Sequence, residues 1–276
     1  MARAIVRSYS LMGYDAVCLS PHDLAAGAEF FTGEPEEAAS FTWLSANVSL
    51  NGGVPFFQPY LIKKFGDATL AIIGLTGKTA LLPSDFTVGD WRASLRSCLD
   101  DIGSKATFFI VLSTLSPKEE QELARNFPKI NLILGSSPNK GNTKTILESH
   151  TLLVQTTSRG KYLGQLDIDY GSHGQWSEQK KSDVTRLKKR LAQVEKSLAV
   201  YLRSSNGSNQ ESIQQTISIL SKQKESLTDR IEELQQTQTM LPEKGRDTFA
   251  LSFHKIRPVS ESSAIDDIVD KLDASF

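Results

Sequence analysis

Hydrophobic positions in the first 170 residues fall into short runs separated by polar or helical-period stretches. The runs are residues 16–19, 43–46, 60–65, 70–75, 107–112, 131–134, 151–156 and 164–169. Fully apolar ones such as FFIVL and NLILG suit strands buried on both faces. Helical spacing fits residues 25–31, 91–103 and 117–126. The last opens on Ser116-Pro117-Lys118-Glu119, in which Ser116 caps, Pro117 takes the first helical position and Glu119 closes a capping box. Strands alternating with helices predict an α/β layered domain.

After Gly171 the period changes. Val184, Leu187, Leu191, Val194, Leu198 and Tyr201 follow 3-4-3-4-3 spacing, and Ile213, Ile217, Leu220, Leu227, Ile231 and Leu234 make a second series. Lys224 occupies an apolar slot of that series, and SSNGSNQ at 204–210 joins the two. This predicts an antiparallel helical hairpin, roughly 30 Å or more in length at 1.5 Å per residue. Pro242 and Gly245 end it, and TFALSFH at 248–254 alternates Phe249, Leu251 and Phe253 on one face, as a returning strand does. The chain thus reads as a β-hairpin whose turn is expanded into two helices, with a short acidic helix at 264–272. The organisation expected is an α/β domain over 1–178, a coiled-coil hairpin over 179–240, and a strand and helix over 241–276 that complete the first domain.

Composition changes little in this picture. The 276 residues carry a net charge of −1 with an isoelectric point near 6.5, so no global field points to nucleic acid or an anionic membrane. Cys18 and Cys98 form neither a disulfide framework nor a zinc spacing. No apolar run has the length of a membrane span, and residues 1–17 do not read as a signal peptide, residues 2–12 reading instead as an amphipathic helix that leads into the strand at 16–19. The four histidines share no spacing, and no Gly-x-Ser-x-Gly, P-loop or Rossmann fingerprint occurs.

The order of elements carries more information than any single motif. GYDAV at 13–17, LSANV at 44–48, PYLIKKFGDATLAIIGLTG at 59–77 and GKYLGQLDID at 160–169 resemble, over roughly residues 8–170, the N-terminal catalytic domain of the 5′-nucleotidase branch of the calcineurin-like metallophosphoesterases. The resemblance implies an α/β fold, a layered β-sandwich flanked by helices, with the coiled-coil hairpin inserted before the last strand as in divergent bacterial members. It also implies a chemistry in which two adjacent divalent metals activate a hydroxide for attack on phosphorus.

The ligand motifs of that chemistry fit this chain poorly. The motifs Asp-x-His and Gly-Asp belong before Gly13, where the chain has no residues to match them. Ser20-Pro21-His22-Asp23 stands at the Gly-Asn-His-Asp/Glu loop, so Pro21 replaces the bridging asparagine while His22, the transition-state-stabilising position, persists. Thr114 stands where a lone histidine follows FFIVLS. Ser137 and Asn139 stand at the two histidines of Gly-His-x-His, with Lys140 beside them. Hydroxyl oxygens are poor ligands for these metals at neutral pH. His22 and Asp23 therefore read as catalytic remnants, and Thr114, Ser137, Asn139 and Lys140 as candidate ligand-binding positions.

Two readings of His22 stay open: donation to an anion, or a hydrogen bond to Asp23, which itself suits a cap on the helix that follows. Two functions stay open as well. One is a degenerate 5′-nucleotidase-like domain with no metal cofactor, binding a ligand or a protein through the old cleft or self-associating through the hairpin at 184–234. The other is a phosphoesterase acting on nucleotide phosphomonoesters with Mn, Zn or Mg, its missing ligands supplied by upstream residues or a partner. Neither involves nucleic acid or an integral membrane segment. The resemblance places the missing first strand inside the sheet, so either an upstream extension, a partner or a rearrangement is expected to cover that edge, and an extension with an export signal implies a periplasmic or extracellular protein.

Overall fold

The computed structural model describes residues 2–32, 39–51, 53–79, 82–136, 142, 144–156, 161–171, 175–178, 181–204, 210–239 and 247–256. By density of contacts the chain separates into two compact units, residues 1–164 with 253–276, and residues 165–252.

In the first unit, helix α1 (Ala2–Leu11) runs into strand β1 (Ala16–Cys18). A 3-10 turn (Asp23–Ala26) and α2 (Ala28–Phe31) replace the single helix expected over 25–31. Gly27 divides them, at φ 78° and ψ 167°, a conformation open to glycine and foreign to a helix. β2 (Thr42–Leu44) lies parallel to β1, and β3 (Val48–Leu50) pairs antiparallel with β4 (Val54–Pro55). β5 (Tyr60–Phe65) and β6 (Ala68–Leu75) form a hairpin turned at Gly66, and β7 (Phe86–Val88) returns to the other side of β3.

α3 (Trp91–Ile102), β8 (Phe108–Ser113), α4 (Pro117–Asn126), β9 (Leu132–Gly135), β10 (Ile146–Glu148) and β11 (Thr151–Gln155) follow. They complete a six-stranded sheet of order β10-β11-β9-β8-β6-β5. Its four inner strands are parallel and its two edge strands antiparallel. Such inner strands are apolar on both faces, which is why FFIVLS and LILG are continuous runs.

Ala71, Ile73 and Leu75 of β6, Phe109 and Val111 of β8 and Ile133 of β9 bury one face against Trp91, Leu95 and Leu99 of α3 and Leu123 of α4. The α4 cap is the one its sequence specifies. Ser116 Oγ accepts from Glu119 N at 3.4 Å, and Glu119 Oε2 accepts from Ser116 N at 2.9 Å. A second core of Leu19, Leu24, Val48, Phe57, Phe86 and Val88 carries an aromatic cluster in which Phe31 sits edge-on to Trp43, Phe57 and Phe86.

β12 (Tyr162–Asp169), β13 (Trp176–Glu178), α5 (Lys181–Ser204), α6 (Gln210–Thr239) and β14 (Asp247–Lys255) end the described chain. Their three strands form a sheet of order β12-β14-β13. Ile256 N donates to Lys161 O at 3.1 Å and the Phe253 ring faces Gly164, so β14 runs back along β12. The sequence pattern missed β13, which pairs parallel to β14 on the other side in the register Trp176 with Asp247. The α5–α6 hairpin is present, inserted between β13 and β14. The hairpin turn at 205–209 and the helix expected at 264–272 lie outside the described residues.

Candidate functional site at the ends of the parallel strands

In the first unit the carboxyl ends of β1, β2 and β6 come together, held by hydrogen bonds that cross between strands. Cys18 Sγ donates to Leu75 O at 3.5 Å, Leu19 N to Leu44 O at 3.1 Å and Ala46 N to Gly74 O at 2.8 Å. At Gly74 the crossing is close. A β-carbon there would lie 2.5 Å from Leu44 O and 2.7 Å from Leu44 Cβ, so only glycine fits.

Immediately beyond these ends lies a buried polar cluster that sequence reasoning missed. Thr76 N donates to Asn47 Oδ1 and Asn47 Nδ2 donates to Thr76 O, both at 2.8 Å. Ser45 Oγ and Thr76 Oγ1 lie 2.8 Å apart, and Thr76 Oγ1 donates to Leu19 O at 2.9 Å. Asn47 thus pairs with a backbone amide as a strand would, tying the β2 exit to the β6 exit. Satisfied buried networks of this kind fix one geometry. The available signal was the placement of three polar side chains just past apolar runs, which is also the signature of an ordinary loop.

The loop after β1 holds the two remnant residues. Asp23 does not cap the helical turn, as its position suggested. Its Oδ2 accepts from Ser20 N at 2.8 Å and from Ser20 Oγ at 2.7 Å, folding the loop back on itself. The capping position just before the turn is His22, which provides no side-chain hydrogen bond. His22 is exposed, and no hydrogen bond joins it to Asp23. Tyr9 of α1 flanks the loop. Burial, with Tyr14 and the Asp23 carboxylate adding to it, raises its phenol above the usual range. Burial likewise pushes the Cys18 thiol up to about 12, which leaves it a small hydrophobe without nucleophilic character.

Thr114 is engaged in structure. Its Oγ1 accepts from Gly77 N at 2.9 Å, and its own N–H donates to Leu75 O at 3.0 Å. A β-carbon on Gly77 would lie 2.4 Å from Thr114 O. Ser137, Asn139 and Lys140 lie outside the described residues. Beside the strand that leads to them, Glu120 of α4 is buried, and a β-carbon on Gly135 would meet its Oε1 at 2.6 Å. Glu120 and the equally buried Gln155 line a small cleft of about 20 Å³. Neither was singled out in the sequence, because a Glu in the first turn of a helix reads as a dipole partner facing water.

Among the described residues no three His, Cys, Asp or Glu side chains converge as a metal site. The described donors at the motif positions, Thr114, Asp23 and His22, do not fit a dinuclear centre either. A hydroxyl bonded to a backbone amide, a carboxylate already accepting twice and a lone exposed imidazole are too few and too committed.

No protein-family model matches the chain. A snake venom 5′-nucleotidase from Gloydius brevicauda is 24% identical over 200 residues, which cover 62% of this chain and 34% of that protein. The sulfate thiohydrolase SoxB of Thermus thermophilus superposes with a TM-score of 0.54 at 21% identity, covering 60% of this chain and 32% of that one. A 5′-nucleotidase precursor of Thermus thermophilus gives 0.50 at 24% identity, with 62% and 38% covered. The chain spans about a third of the length of the curated relatives it matches. Over some 60% of its length the chain is a distant homologue of the 5′-nucleotidases of the metallophosphoesterase family.

Proposed function

We propose that this chain keeps the scaffold of a 5′-nucleotidase-type metallophosphoesterase without its dinuclear metal centre, and acts as a ligand- or protein-binding module. The observation that carries the reading is Thr114. At a position where the resemblance calls for a histidine ligand, a hydroxyl accepts the Gly77 N–H and closes the β6 exit onto the β8 exit. Pro21 at the bridging position and Asp23 turned toward Ser20 point the same way. In this reading residues 1–178 and 241–276 form one sandwich-like domain and 179–240 a coiled coil. His22 and Thr114, together with Ser137, Asn139 and Lys140 outside the described residues, are the candidate polar contacts for a small ligand.

A second reading keeps the chain as a metal-dependent phosphoesterase completed by residues outside it or by a partner. The buried Glu120 carboxylate beside Gly135 favours it, since an oxygen donor of that type suits a hard cation.

Metal analysis of the purified protein, with hydrolysis of a nucleoside monophosphate in the presence of Mn²⁺, decides between them. The binding-module reading expects a folded protein without stoichiometric metal and without turnover. Bound metal together with turnover abolished by His22→Ala sinks it.

A further inference from the structure

The two helices of the hairpin treat their charges differently. On α6, Arg230 is bonded to Glu233, Lys224 to Glu195 across the seam, and Lys222 has Glu225 three residues on. On α5, Lys188, Lys189, Arg190, Lys196 and Arg203 are all exposed, and none forms an ion pair with another described residue. The residues three and four positions away from each of them are uncharged or basic. α5 carries seven basic and two acidic residues, a net of +5 in a chain whose net charge is −1. A solvated helix face ordinarily interleaves the two signs at these spacings. The last turn of a helix accounts for Arg203, where a cation meets the dipole. No such reason covers the other four.

Three of these cations are aligned. Lys189, Lys196 and Arg203 recur every seven residues, so on a helix they stay within about 40° of one line. That line runs along the side of α5 away from the seam at Leu187, Leu191, Val194 and Leu198. The cations stand about 10.5 Å apart and span about 21 Å at 1.5 Å per residue. Gln193 and Val200 fill the intermediate places, which makes the spacing 4-3-4-3, and the exposed Ala192 and Ala199 beside them leave room for a close neighbour.

We propose that this face of α5 docks an acidic helix of another protein, about four turns long, with carboxylates at the same spacing. The 4-3-4-3 period is the one at which two helices pack side by side, and the partner's carboxylates supply the counter-charges that the face lacks. Two other polyanions fit less well. A bilayer is a plane and would meet three cations in single file. A nucleic-acid duplex offers phosphates on both walls of a groove, whereas beyond Arg190 the flanks of the line carry no cation. Surface ion pairs are weak and screened by salt, so the docking is reversible and salt-sensitive. The inference concerns the hairpin alone and holds whether or not the cleft carries metal.

Fluorescence anisotropy of the full chain with two hydrocarbon-stapled, alanine-rich helical peptides of that length tests this at low salt. Both peptides carry the same number of glutamates, in one on a single 3-4-spaced face and in the other spread around the helix. The single-face peptide is expected to bind about tenfold more tightly than the other. Lys189→Glu/Lys196→Glu should weaken it about tenfold with circular dichroism unchanged. Lys64→Glu/Lys129→Glu, the same change of charge at exposed positions of the first unit, should leave it as it was. If charge reversal lowers helicity, Lys189→Gln/Lys196→Gln is read instead, with a loss of about fivefold expected. Equal affinity for the two peptides, or equal losses in the α5 and control variants, overturns the proposal. So does a glutamine variant that binds like the unsubstituted chain, or tighter binding of phosphatidylglycerol vesicles or duplex DNA than of the single-face peptide.

Discussion

Lys224 Nζ lies 3.1 Å from Glu195 Oε1 on the facing helix, although the apolar pattern of α6 reserves position 224 for a side chain of the seam. Both side chains are about half exposed, so the pair itself contributes only ~0.2–1 kcal/mol. Its role is positional. A charge in an apolar slot penalises every alignment in which it is not met. Glu195→Lys should lower the thermal midpoint of the hairpin by a few degrees, and adding Lys224→Glu should restore it. Circular dichroism at 222 nm reads both, and a double variant no better than the single one would show that register is set elsewhere.

Gly74 is expected to tolerate nothing larger. The Cβ of Gly74→Ala would enter the Leu44 carbonyl, a backbone group that cannot rotate away. Overpacking of this kind costs about 1–3 kcal/mol. Urea unfolding should show a lowered midpoint with an unchanged slope, whereas Gly53→Ala, with open space around the position, should be silent.

Removing the side chain of Asn47 leaves the Thr76 N–H and C=O buried without their partners. Each orphaned group costs about 1–3 kcal/mol. Asn47→Ala should therefore destabilise by several kcal/mol, and Asn47→Asp should do nearly as badly, because the carboxylate cannot donate to Thr76 O. A mild effect of Asn47→Asp would place the weight on the Thr76 N–H alone.

Both thiols should resist a disulfide reagent at pH 8 until the protein is unfolded. Burial raises Cys18 from 9.0 to about 12 and Cys98 to about 11. Since both folded values exceed the unfolded one, the stability this burial contributes is full below pH 9. It falls as the pH climbs from 9 toward 12, because the unfolded chain loses its protons first. Alkaline unfolding should thus begin above pH 9 and be delayed in a Cys18→Ala/Cys98→Ala double variant.

Elements with a strong local signature were legible in the sequence, and those made by pairing alone were not. The α4 cap could be read from four residues because a capping box is local chemistry. The hairpin helices could be read because their period is sustained. β3, β4, β7, β10 and β13 span two or three residues each, too few to show a period, and they exist because a neighbour is there. The candidate site divides the same way. Pro21 and Thr114 were identifiable as wrong for metal from residue type alone. That Asp23 turns toward Ser20, and that Ser45, Asn47 and Thr76 form one cluster, depends on strands far apart in sequence reaching the same place. The buried Glu120 hid behind the capping box it follows.

The parallel register of β13 and β14 bears on how the second unit assembles. Trp176 and Asp247 are paired although 70 residues of chain intervene, a separation that would make strand pairing slow by random search. Most of that interval is α5 and α6, which form from neighbour contacts within each helix and then pair with each other. Once paired, they bring β13 and the start of β14 close together, so the long closure is reached through a series of short ones. A chain emerging from the ribosome would hold β13 unpaired until the whole hairpin had followed it out, and would then complete the sheet in one step.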